Sequence, residues 1–498
     1  MDDRLAGYAF LLEKLKISGM PNWHTSFVLS SGTHRSQVQE GLIEEVYPAT
    51  YWPGDKVGDH LEFALKYDGV NLSLLKQIFE ASPQVEITNY IKSKPTGKYA
   101  RRVWFYYEFI METQLPIENI TQGNYVEALD PKHYYTMKTG KKSKRHRIVD
   151  NLLGDKKFCP IVRKTEPLQM MESVNLRKKC ESLVASYPAE LLHRALTYLY
   201  KKETKSSFEI EHVKPNASRV ERFISLLELA EKEDFCRKDL LIDIQNRIVD
   251  LRFMDSDYRM NQNYVGQIVS YQNEVIHFIC PKPEDLLDLM EGIIKTHKRM
   301  KEGGVGPVIH AAVIAYGFVF MHPFEDGNGR IHRFLIHNIL STQGLVPPGL
   351  MFPVSATMLK NPLDYDASLE AFSKPLLQLV EYRLDETGEM TVENDTACWY
   401  QYIDMTAQAE ALYGFVSKTI EEELVEELNF LANYDKTKKE IQDIIDMPDR
   451  LIDLFIQFCL QNNGKLSDRK KSSHFEFLTD EELSTLEQAV QNGYNRKD

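Results

Sequence analysis

The 498-residue chain has little of what marks disulfide-rich, zinc-binding, secreted or fibrous proteins. Its 6 cysteines lie far apart and form no Cys-x-x-Cys pair, so neither a structural zinc nor a redox dithiol is expected, and we expect a reducing, cytoplasmic compartment. The start, Met1 to Arg4, lacks the basic flank and apolar stretch of a secretory signal. Internal repeats and low-complexity segments are also missing, which excludes solenoids and tail-like chains.

Long apolar runs are missing as well. The longest candidate, Val308 to Met321, contains His310 and falls short of the roughly 20 residues that a spanning helix needs, so it predicts a buried helix and no membrane partner. A net charge of −13 argues against a generally basic nucleic-acid surface. What is present, 43% hydrophobic and 27% charged residues, is typical of a globular protein of two or three domains.

Residues 1–166 mix aromatic-rich pieces with Pro/Gly turns and predict an α+β region of unknown role. The basic run Lys138 to Arg147 could grip phosphates, although a solvated, lysine-rich loop is the plainer interpretation. A second basic cluster, Arg469 to Lys471, has the same two interpretations. Together these runs keep open a nucleic-acid-binding regulator as the main non-enzyme alternative.

Helical periodicity dominates from about Pro167, because apolar residues recur there at three- and four-residue steps. This pattern predicts a mainly α domain over residues 167–385 and a helical C-terminal region over residues 386–498. The stretch around 268–280 is short, β-branched and ended by proline, and it predicts a small β-hairpin flap. The helices predicted in the central domain are Ala189 to Lys201, Ala217 to Glu231, Arg237 to Phe253, Glu284 to Met300, Val308 to Val319, Arg330 to Leu340 and Leu369 to Leu384.

The chemistry is concentrated in one string, His322-Pro-Phe-Glu-Asp-Gly-Asn-Gly-Arg-Ile-His-Arg333, which lies between two predicted helices. Gly327 and Gly329 let the backbone turn tightly, so that amides at the start of the second helix can converge on phosphate oxygens. Arg330 and Arg333 are one helical turn apart and can both reach one polyphosphate chain.

Two further residues complete this site. Asp326 supplies the carboxylate that Mg²⁺ needs, because a magnesium ion on phosphates keeps several waters and takes only one or two protein carboxylates. His322 is then the base that accepts the proton of an incoming hydroxyl. Taken singly, a histidine beside proline is usually structural and Gly-Asn-Gly is usually a turn, so the prediction depends on their combination.

The string resembles the signature of the Fic family, His-x-Phe-x-(Asp/Glu)-Gly-Asn-Gly-Arg-x-x-Arg, and every specified position is present. The resemblance covers roughly Pro167 to Asp385. It implies an all-α core with a β flap, ATP as donor, Mg²⁺ as cofactor, and transfer of AMP to a Ser, Thr or Tyr hydroxyl of a target protein, with auto-modification. By motif position it makes Phe324 a core anchor and Asn328 a polar positioning group at the nucleotide, and it gives His332 no role, so we expect His332 at the surface or behind the site.

Many members of that family carry an inhibitory helix with the pattern (Ser/Thr)-x-x-x-Glu-(Gly/Asn). Here Ser207 and Glu211 match this pattern upstream of the motif, and on a helix their i, i+4 spacing puts them on one face. The resemblance implies that Glu211 pairs with Arg333 and blocks the γ-phosphate. His212 departs from the small residue expected at the last position, and Glu209 is a poorer candidate because it lies on another face.

Within the flap, the alternate residues Val275, His277 and Ile279 could pair with an extended target peptide by strand addition, or the hairpin could be purely structural. The direction of the reaction also stays open, since the same site could remove AMP if Glu211 positions a water. A third alternative is transfer from another nucleotide donor.

Overall fold

The computed structural model of the chain describes residues 4–29, 33–39, 41–270 and 273–494. Its N-terminal part contains a four-stranded sheet of order β1-β2-β4-β3, in which β2 and β4 are parallel and the other pairs antiparallel. Five helices pack with this sheet. The strands are β1 Arg4–Ala6, β2 His24–Val28, β3 Arg35–Gln39 and β4 Leu42–Tyr47; the helices are α1 Gly7–Leu15, α2 Val57–Phe63, α3 Leu72–Ala81, α4 Gln84–Ser93 and α5 Lys98–Met111.

A second, three-stranded sheet contains the basic run. Its strands are β5 Val126–Glu127, β6 Lys141–Ser143 and β7 Ile148–Asp150. The run supplies strand β6 and the turn that leads into β7. Two of its side chains are used internally, because the Arg145 guanidinium and the His146 ring both contact the Glu108 carboxylate, at 2.8 and 2.9 Å. The lysines of the run are exposed, as a solvated segment predicts.

The central part is helical apart from two hairpins. Its helices are α6 Glu166–Ser173, α7 Leu176–Ala185, α8 Ala189–Ile210, α9 Ala217–Leu229, α10 Lys238–Ile248, α11 Pro283–Glu302, α12 Pro307–Met321, α13 Asn328–Thr342, α14 Val354–Lys360 and α15 Pro362–Leu377; its hairpins are β8 Tyr264–Ser270 with β9 Asn273–Ile279, and β10 Tyr382–Leu384 with β11 Met390–Val392. The mainly α class with a small β flap is confirmed.

The C-terminal part adds six helices: α16 Ala397–Gln401, α17 Thr406–Lys418, α18 Leu424–Ile444, α19 Asp449–Gln461, α20 Asp468–His474 and α21 Asp480–Gly493. Its last helices enclose a small core of their own around Phe455 and Leu486. Over the residues with assigned positions, none of the helices is long and apolar enough to span a membrane.

Helix α12 is the centre of the largest core. Pro307 starts it at the first helical position, where a missing N–H costs nothing, and nearly all of its side chains are buried whichever way they point. The helices α11, α13 and α17 pack around it. Its apolar sequence is therefore explained by burial within the protein, as its length predicted. The C-terminal end of α12 leads to His322, which begins the loop between α12 and α13, called the motif loop below.

The core around α12 draws on segments far apart in the chain, from Tyr135 to Leu424. The segment 159–163 hydrogen-bonds to the segment 401–405: the Cys159 amide donates to Gln401 at 2.8 Å and the Ile161 amide to Ile403 at 3.0 Å. The Arg163 guanidinium also pairs with the Asp404 carboxylate at 2.9 Å. Residues before and after the central helices thus close one shared core; the predicted boundaries near 166 and 385 stay predictions.

Candidate functional site

The motif loop turns the chain between α12 and α13. His322 caps α12 in the left-handed conformation, with φ of 48°, and Gly327 starts α13 with φ of 95°, a conformation that glycine adopts without strain. The Asn328 side chain braces the loop, since its amide donates to the Phe324 carbonyl at 2.7 Å and its oxygen accepts from the Phe324 amide at 3.1 Å. Phe324 itself is buried, as an anchor requires.

Because Gly327 has no side chain, none caps the start of α13. The amides of the first helical turn, from Asn328 to Arg330, have no intrahelical carbonyl to donate to. Unsatisfied amides and the positive end of the helix dipole coincide here, which is the arrangement that binds phosphate.

His322 lies at the entrance to this loop and is half-buried. Its Nδ1 donates to the Val319 carbonyl at 3.3 Å, which leaves Nε2 without a proton and able to accept one. Burial, reinforced by the Arg259 charge, lowers the pKa of His322 to about 4. The imidazole is therefore neutral at physiological pH, the state that a general base needs.

Arg259 fixes this stretch of backbone and was not found from the sequence. It is buried, and its guanidinium donates to the carbonyls of His322 at 2.8 Å, Pro281 at 2.7 Å and Asn261 at 2.7 Å. One side chain thereby joins the motif loop to both flanks of the β8–β9 hairpin. A lone arginine in a polar connection carries no pattern that would reveal such a role.

Arg330 is 1% exposed, and one of its terminal nitrogens pairs with the Asp326 carboxylate one turn before it. Its Nε and Nη1 are buried with no hydrogen-bond partner among the described residues. Its guanidinium lies 5.3 Å from the Phe208 ring centroid, and Arg219 lies 5.2 Å from the same ring. Unpaired buried donors beside uncapped amides indicate a site for an anion that is absent from the protein alone.

Asp326, the predicted metal ligand, is 44% exposed and is held by Arg330 and by its own neighbour, the Gly327 amide, at 2.6 Å. Asp255 lies close enough for its pKa to be raised, first by burial and also by the Asp326 charge. Across the described ranges, no cluster of three or more His, Cys, Asp or Glu side chains has metal-binding geometry. The donor set fits a cation bound mainly by phosphate and water, with one carboxylate from the protein.

Arg333 is fully occupied by the end of α8. Its Nε donates to the Ser207 hydroxyl at 3.0 Å and its Nη2 to the Ser207 carbonyl at 2.7 Å, while Nη2 also pairs with the Glu211 carboxylate at 2.8 Å. A weaker contact of 3.4 Å reaches the Tyr365 hydroxyl, another residue that the sequence did not reveal. Burial would raise the pKa of Glu211, but the Arg333 charge outweighs it and holds that pKa below its usual value. The predicted pairing of Glu211 with Arg333 is present in the structure.

Gly329 makes room for that carboxylate. A Cβ at this position would lie 2.1 Å from Oε1 of Glu211 and 3.3 Å from Nη1 of Arg333. The Glu211 side chain thus occupies space directly beside the amides of the motif loop. A carboxylate there stands close to where the outer part of a bound polyphosphate would lie.

Helix α8 ends in a Schellman motif at this point. The Val213 amide bonds to the Phe208 carbonyl at 3.1 Å and the His212 amide to Glu209 at 2.9 Å, with His212 at φ of 55°. A left-handed residue at this position accounts physically for a pattern that asks for Gly or Asn after the glutamate. His212 adopts the same conformation with a larger side chain, so its departure does not shift the helix end.

A second anchor holds α8 against α13 two turns earlier. Glu203 is fully buried, its carboxylate lies 3.0 Å from the His337 ring, and it accepts the Ser355 amide at 2.9 Å. Glu203, Ser207 and Glu211 follow one another at four-residue steps on α8 and face His337 and Arg333, one turn apart on α13. The helix that carries Glu211 is docked along its length.

One expectation needs correction. Val275 and His277 are exposed on β9, but Ile279 is buried, because β9 runs into the core at this end, so Ile279 does not belong to the exposed peptide-facing row. For His332 the structure excludes the surface and leaves the expected alternative behind the site: it is fully buried against the Tyr316 ring, and burial lowers its pKa to about 3.

The geometry defines a mainly α protein with an uncapped helix start, paired arginines and a neutral histidine at an anion-binding loop. Residues 235–340, which contain this loop, match the model of the Fic/DOC family. The chain therefore contains a segment that matches the Fic/DOC family.

Relatives resemble the chain over a short stretch. The "Protein adenylyltransferase Fic" of Drosophila melanogaster is 33% identical over 123 residues, 24% of this chain and 22% of the relative, and that of Drosophila mojavensis is 35% identical over 91 residues, 18% and 16% of the two chains. The chain therefore matches less than a quarter of the length of these relatives.

Two solved structures match the chain weakly over a longer stretch. A Fic family protein from Desulfovibrio desulfuricans has a TM-score of 0.37 and 16% identity, and covers 67% of this chain and 85% of its own. Fic-1 from C. elegans has a TM-score of 0.32 and 15% identity, and covers 73% and 92%.

Proposed function

We propose that the protein transfers AMP from ATP to a Ser, Thr or Tyr hydroxyl of a target protein. The observation that carries the proposal is the buried Arg330, whose Nε and Nη1 lack partners beside the uncapped start of α13. Donors in that state favour a bound polyphosphate, because leaving them unpaired costs free energy. The adenylyltransferase names of the Drosophila relatives support the choice of AMP as the transferred group.

In this proposal His322 performs the proton transfer. Its Nε2 accepts the proton of the incoming hydroxyl while the oxygen attacks the α-phosphorus, and pyrophosphate leaves. The amides from Asn328 to Arg330 hold the negative charge that develops on the phosphate oxygens, and Arg259 keeps the His322 backbone in place. Replacing one positioned base costs roughly 10²- to 10⁴-fold in rate.

Magnesium fits this site through Asp326. The cation would neutralise charge on the phosphates, and Asp326 would hold it after releasing Arg330, which then turns to the phosphates. We expect Asp326→Ala to weaken the binding of ATP in the presence of magnesium and not in its absence, where loss of the carboxylate frees Arg330 for the phosphates. Calorimetric titration of ATP with and without the metal measures this; equal responses of both proteins would exclude Asp326 as the ligand.

We further propose that Glu211 restrains the enzyme. The carboxylate already holds Arg333, the guanidinium that the outer phosphate would use, and it lies against Gly329 in the same place. Because the Glu211 carboxylate and the outer phosphate compete for one guanidinium, the triphosphate binds without its outer contact or in an unproductive pose.

Incubation with ATP labelled on the α-phosphate, magnesium and a cell lysate tests the main proposal. We expect label on protein, and we expect His322→Ala to abolish it while ATP binding persists, because the phosphate contacts remain. Unchanged labelling by that variant would exclude this mechanism. Salt-sensitive DNA retention without any label would instead favour the nucleic-acid-binding regulator.

The same assay separates the two directions of the reaction. Glu211 is close enough to His322 for each charge to influence the pKa of the other, which is the arrangement that a water-positioning acid would need for AMP removal. Loss of label from a pre-modified protein, dependent on Glu211, would favour removal. Labelling with UTP but not ATP would favour another donor.

A further inference from the structure

A cavity of about 420 Å³ lies in the N-terminal part of the protein, away from the motif loop. Its walls come from the residue before β2, from β4 and α5, and from the segments 65–70, 130–134 and 163–165, and none of its lining residues belongs to the motif loop. The volume falls within the roughly 300–1,000 Å³ of small-molecule sites. It is thus large enough for a ligand of nucleotide size.

Five basic side chains line this cavity, against a single acid, Asp130. The five are Lys66, Lys98, Arg102, Arg163 and Lys164. In the part of the chain with assigned positions, only Arg163 forms an ion pair, with Asp404. A concentration of positive charge in a protein of net charge −13 indicates an anionic ligand.

Arg102 is the most informative of these cations. It is 4% exposed, and its Nε donates to the Glu127 carbonyl at 2.9 Å, which fixes the guanidinium at the cavity wall. No hydrogen bond from its two terminal nitrogens to another described residue is present. A buried guanidinium that keeps its terminal donors free in a cavity is suited to phosphate or carboxylate oxygens.

The remaining wall is aromatic. Trp23, Tyr67, Tyr99 and Tyr134 line it, and the Arg163 guanidinium lies 4.5 Å from the Trp23 ring centroid. Gly69, at φ of 86°, leaves room for two of these rings, Trp23 and Tyr134. A Cβ at this position would lie 2.4 Å from Trp23 and 2.6 Å from the Tyr134 hydroxyl. That hydroxyl in turn accepts the Val70 amide at 2.8 Å, so the wall is rigid.

We propose that this cavity is a second ligand site, which binds a nucleotide with its phosphate on Arg102, Lys66 and Lys98 and its base among the aromatic rings. Cations alone would suit any small anion, and aromatic rings alone would suit any apolar ring. Both together select a ligand that has a phosphate and a flat ring. The proposal does not depend on the reaction at the motif loop.

AMP titrated into the full-length protein tests it, with calorimetry and tryptophan fluorescence as readouts. We expect Lys66→Gln/Lys98→Gln to lower the affinity of this site by roughly tenfold or more, since two charge-assisted contacts are lost. Both lysines are exposed, so folding is not at risk. The matched control Lys56→Gln/Lys92→Gln removes two exposed lysines elsewhere and should bind AMP normally.

Further variants separate this site from the motif loop. Trp23→Phe should remove the fluorescence change while calorimetric binding persists, and Arg330→Gln should leave the cavity affinity unchanged. AMP binding that is lost in Arg330→Gln and insensitive to the lysine pair would overturn the proposal. So would equal affinities for AMP and pyrophosphate, or tighter binding of a single-stranded oligonucleotide than of AMP.

Discussion

Glu211 and the outer phosphate of an incoming triphosphate would both contact the Arg333 guanidinium. The Glu211 side chain is 34% exposed, whereas Arg333 is 1% exposed and receives further contacts from Ser207. Removing the Glu211 carboxylate therefore frees one side of the Arg333 guanidinium, which itself stays in place. The carboxylate can leave towards solvent, and the arginine cannot.

We accordingly expect Glu211→Gly to raise auto-modification and target labelling by about tenfold or more, because one charged contact is worth roughly 1.5–3 kcal/mol. The gain should appear in turnover rather than in ATP affinity, since the outer contact corrects the pose of a nucleotide that already binds. Initial rates of labelling at saturating ATP measure it.

Glu209→Gly is the matched control, because it places glycine in the same last turn of α8 on an exposed side chain that does not contact Arg333. It should leave the rate unchanged. Glu211→Gly/Arg333→Ala should show no gain, since the shared partner is gone. A rate in Glu211→Gly that stays level or falls would remove the restraint from the proposal.

At the scale of elements, Arg259 ties the flap hairpin to the motif loop. Arg259→Lys replaces a planar guanidinium that reaches three separate carbonyls by a compact ammonium that does not match their directions. We therefore expect a loss of about 1–3 kcal/mol in the free energy of unfolding and a fall in kcat larger than the change in KM for ATP. Urea unfolding and steady-state labelling measure the two effects.

Arg252→Lys serves as the control, because that guanidinium is 80% exposed and its ion pair is with Asp250, two residues before it. Activity of Arg259→Lys equal to that of the control would show that the loop holds His322 without this clamp.

The helices of this protein were largely predictable from apolar periodicity, and their ends were not. Residues 369–384 were predicted as one helix, but α15 ends at Leu377. Residues 382–384 instead form a strand that pairs with the strand at residues 390–392. The predicted helix Ala189 to Lys201 was too short, because α8 continues to Ile210. Its last turns contain the polar residues Glu203 and Ser207, which are buried by contacts with α13 and α14.

The residues of the candidate site also fall into those that the sequence predicted and those that it did not. The loop and its arginines were found because their spacing is local, and Glu211 was found because Ser207 and Glu211 resemble the inhibitory pattern of the Fic family. Arg259 and Tyr365 were not, because Arg259 reaches His322 across 63 positions of the chain, Tyr365 reaches Arg333 across 32, and neither forms a pattern with its neighbours.

For the whole molecule, buried histidines predict how stability depends on pH. Burial lowers the pKa of His60 and His322 to about 4 and that of His310 and His332 to about 3. Between about pH 4 and 6.5 the unfolded chain would bind protons at these positions and the folded chain would not, so stability falls as the pH falls. His24, whose pKa is raised by Asp68 and Glu45 against the effect of burial, acts in the opposite direction.

We expect the urea midpoint to be lower at about pH 5 than at about pH 7, with each of these histidines contributing at most about 1.4 kcal/mol per pH unit. His310→Gln should reduce the slope, because it removes one of the buried imidazoles. A midpoint that is the same at both pH values would contradict the burial of these rings as neutral groups.

The pairing of residues 159–163 with residues 401–405 also has a consequence for synthesis. A ribosome makes the chain from its N-terminus, so the motif loop and α13 emerge before α17, which packs against α12 and completes its surroundings. Until then the face of α12 that α17 covers lacks this partner. We therefore expect a chain truncated shortly after Thr342 to expose apolar surface of α12 and to aggregate, although it carries every motif residue.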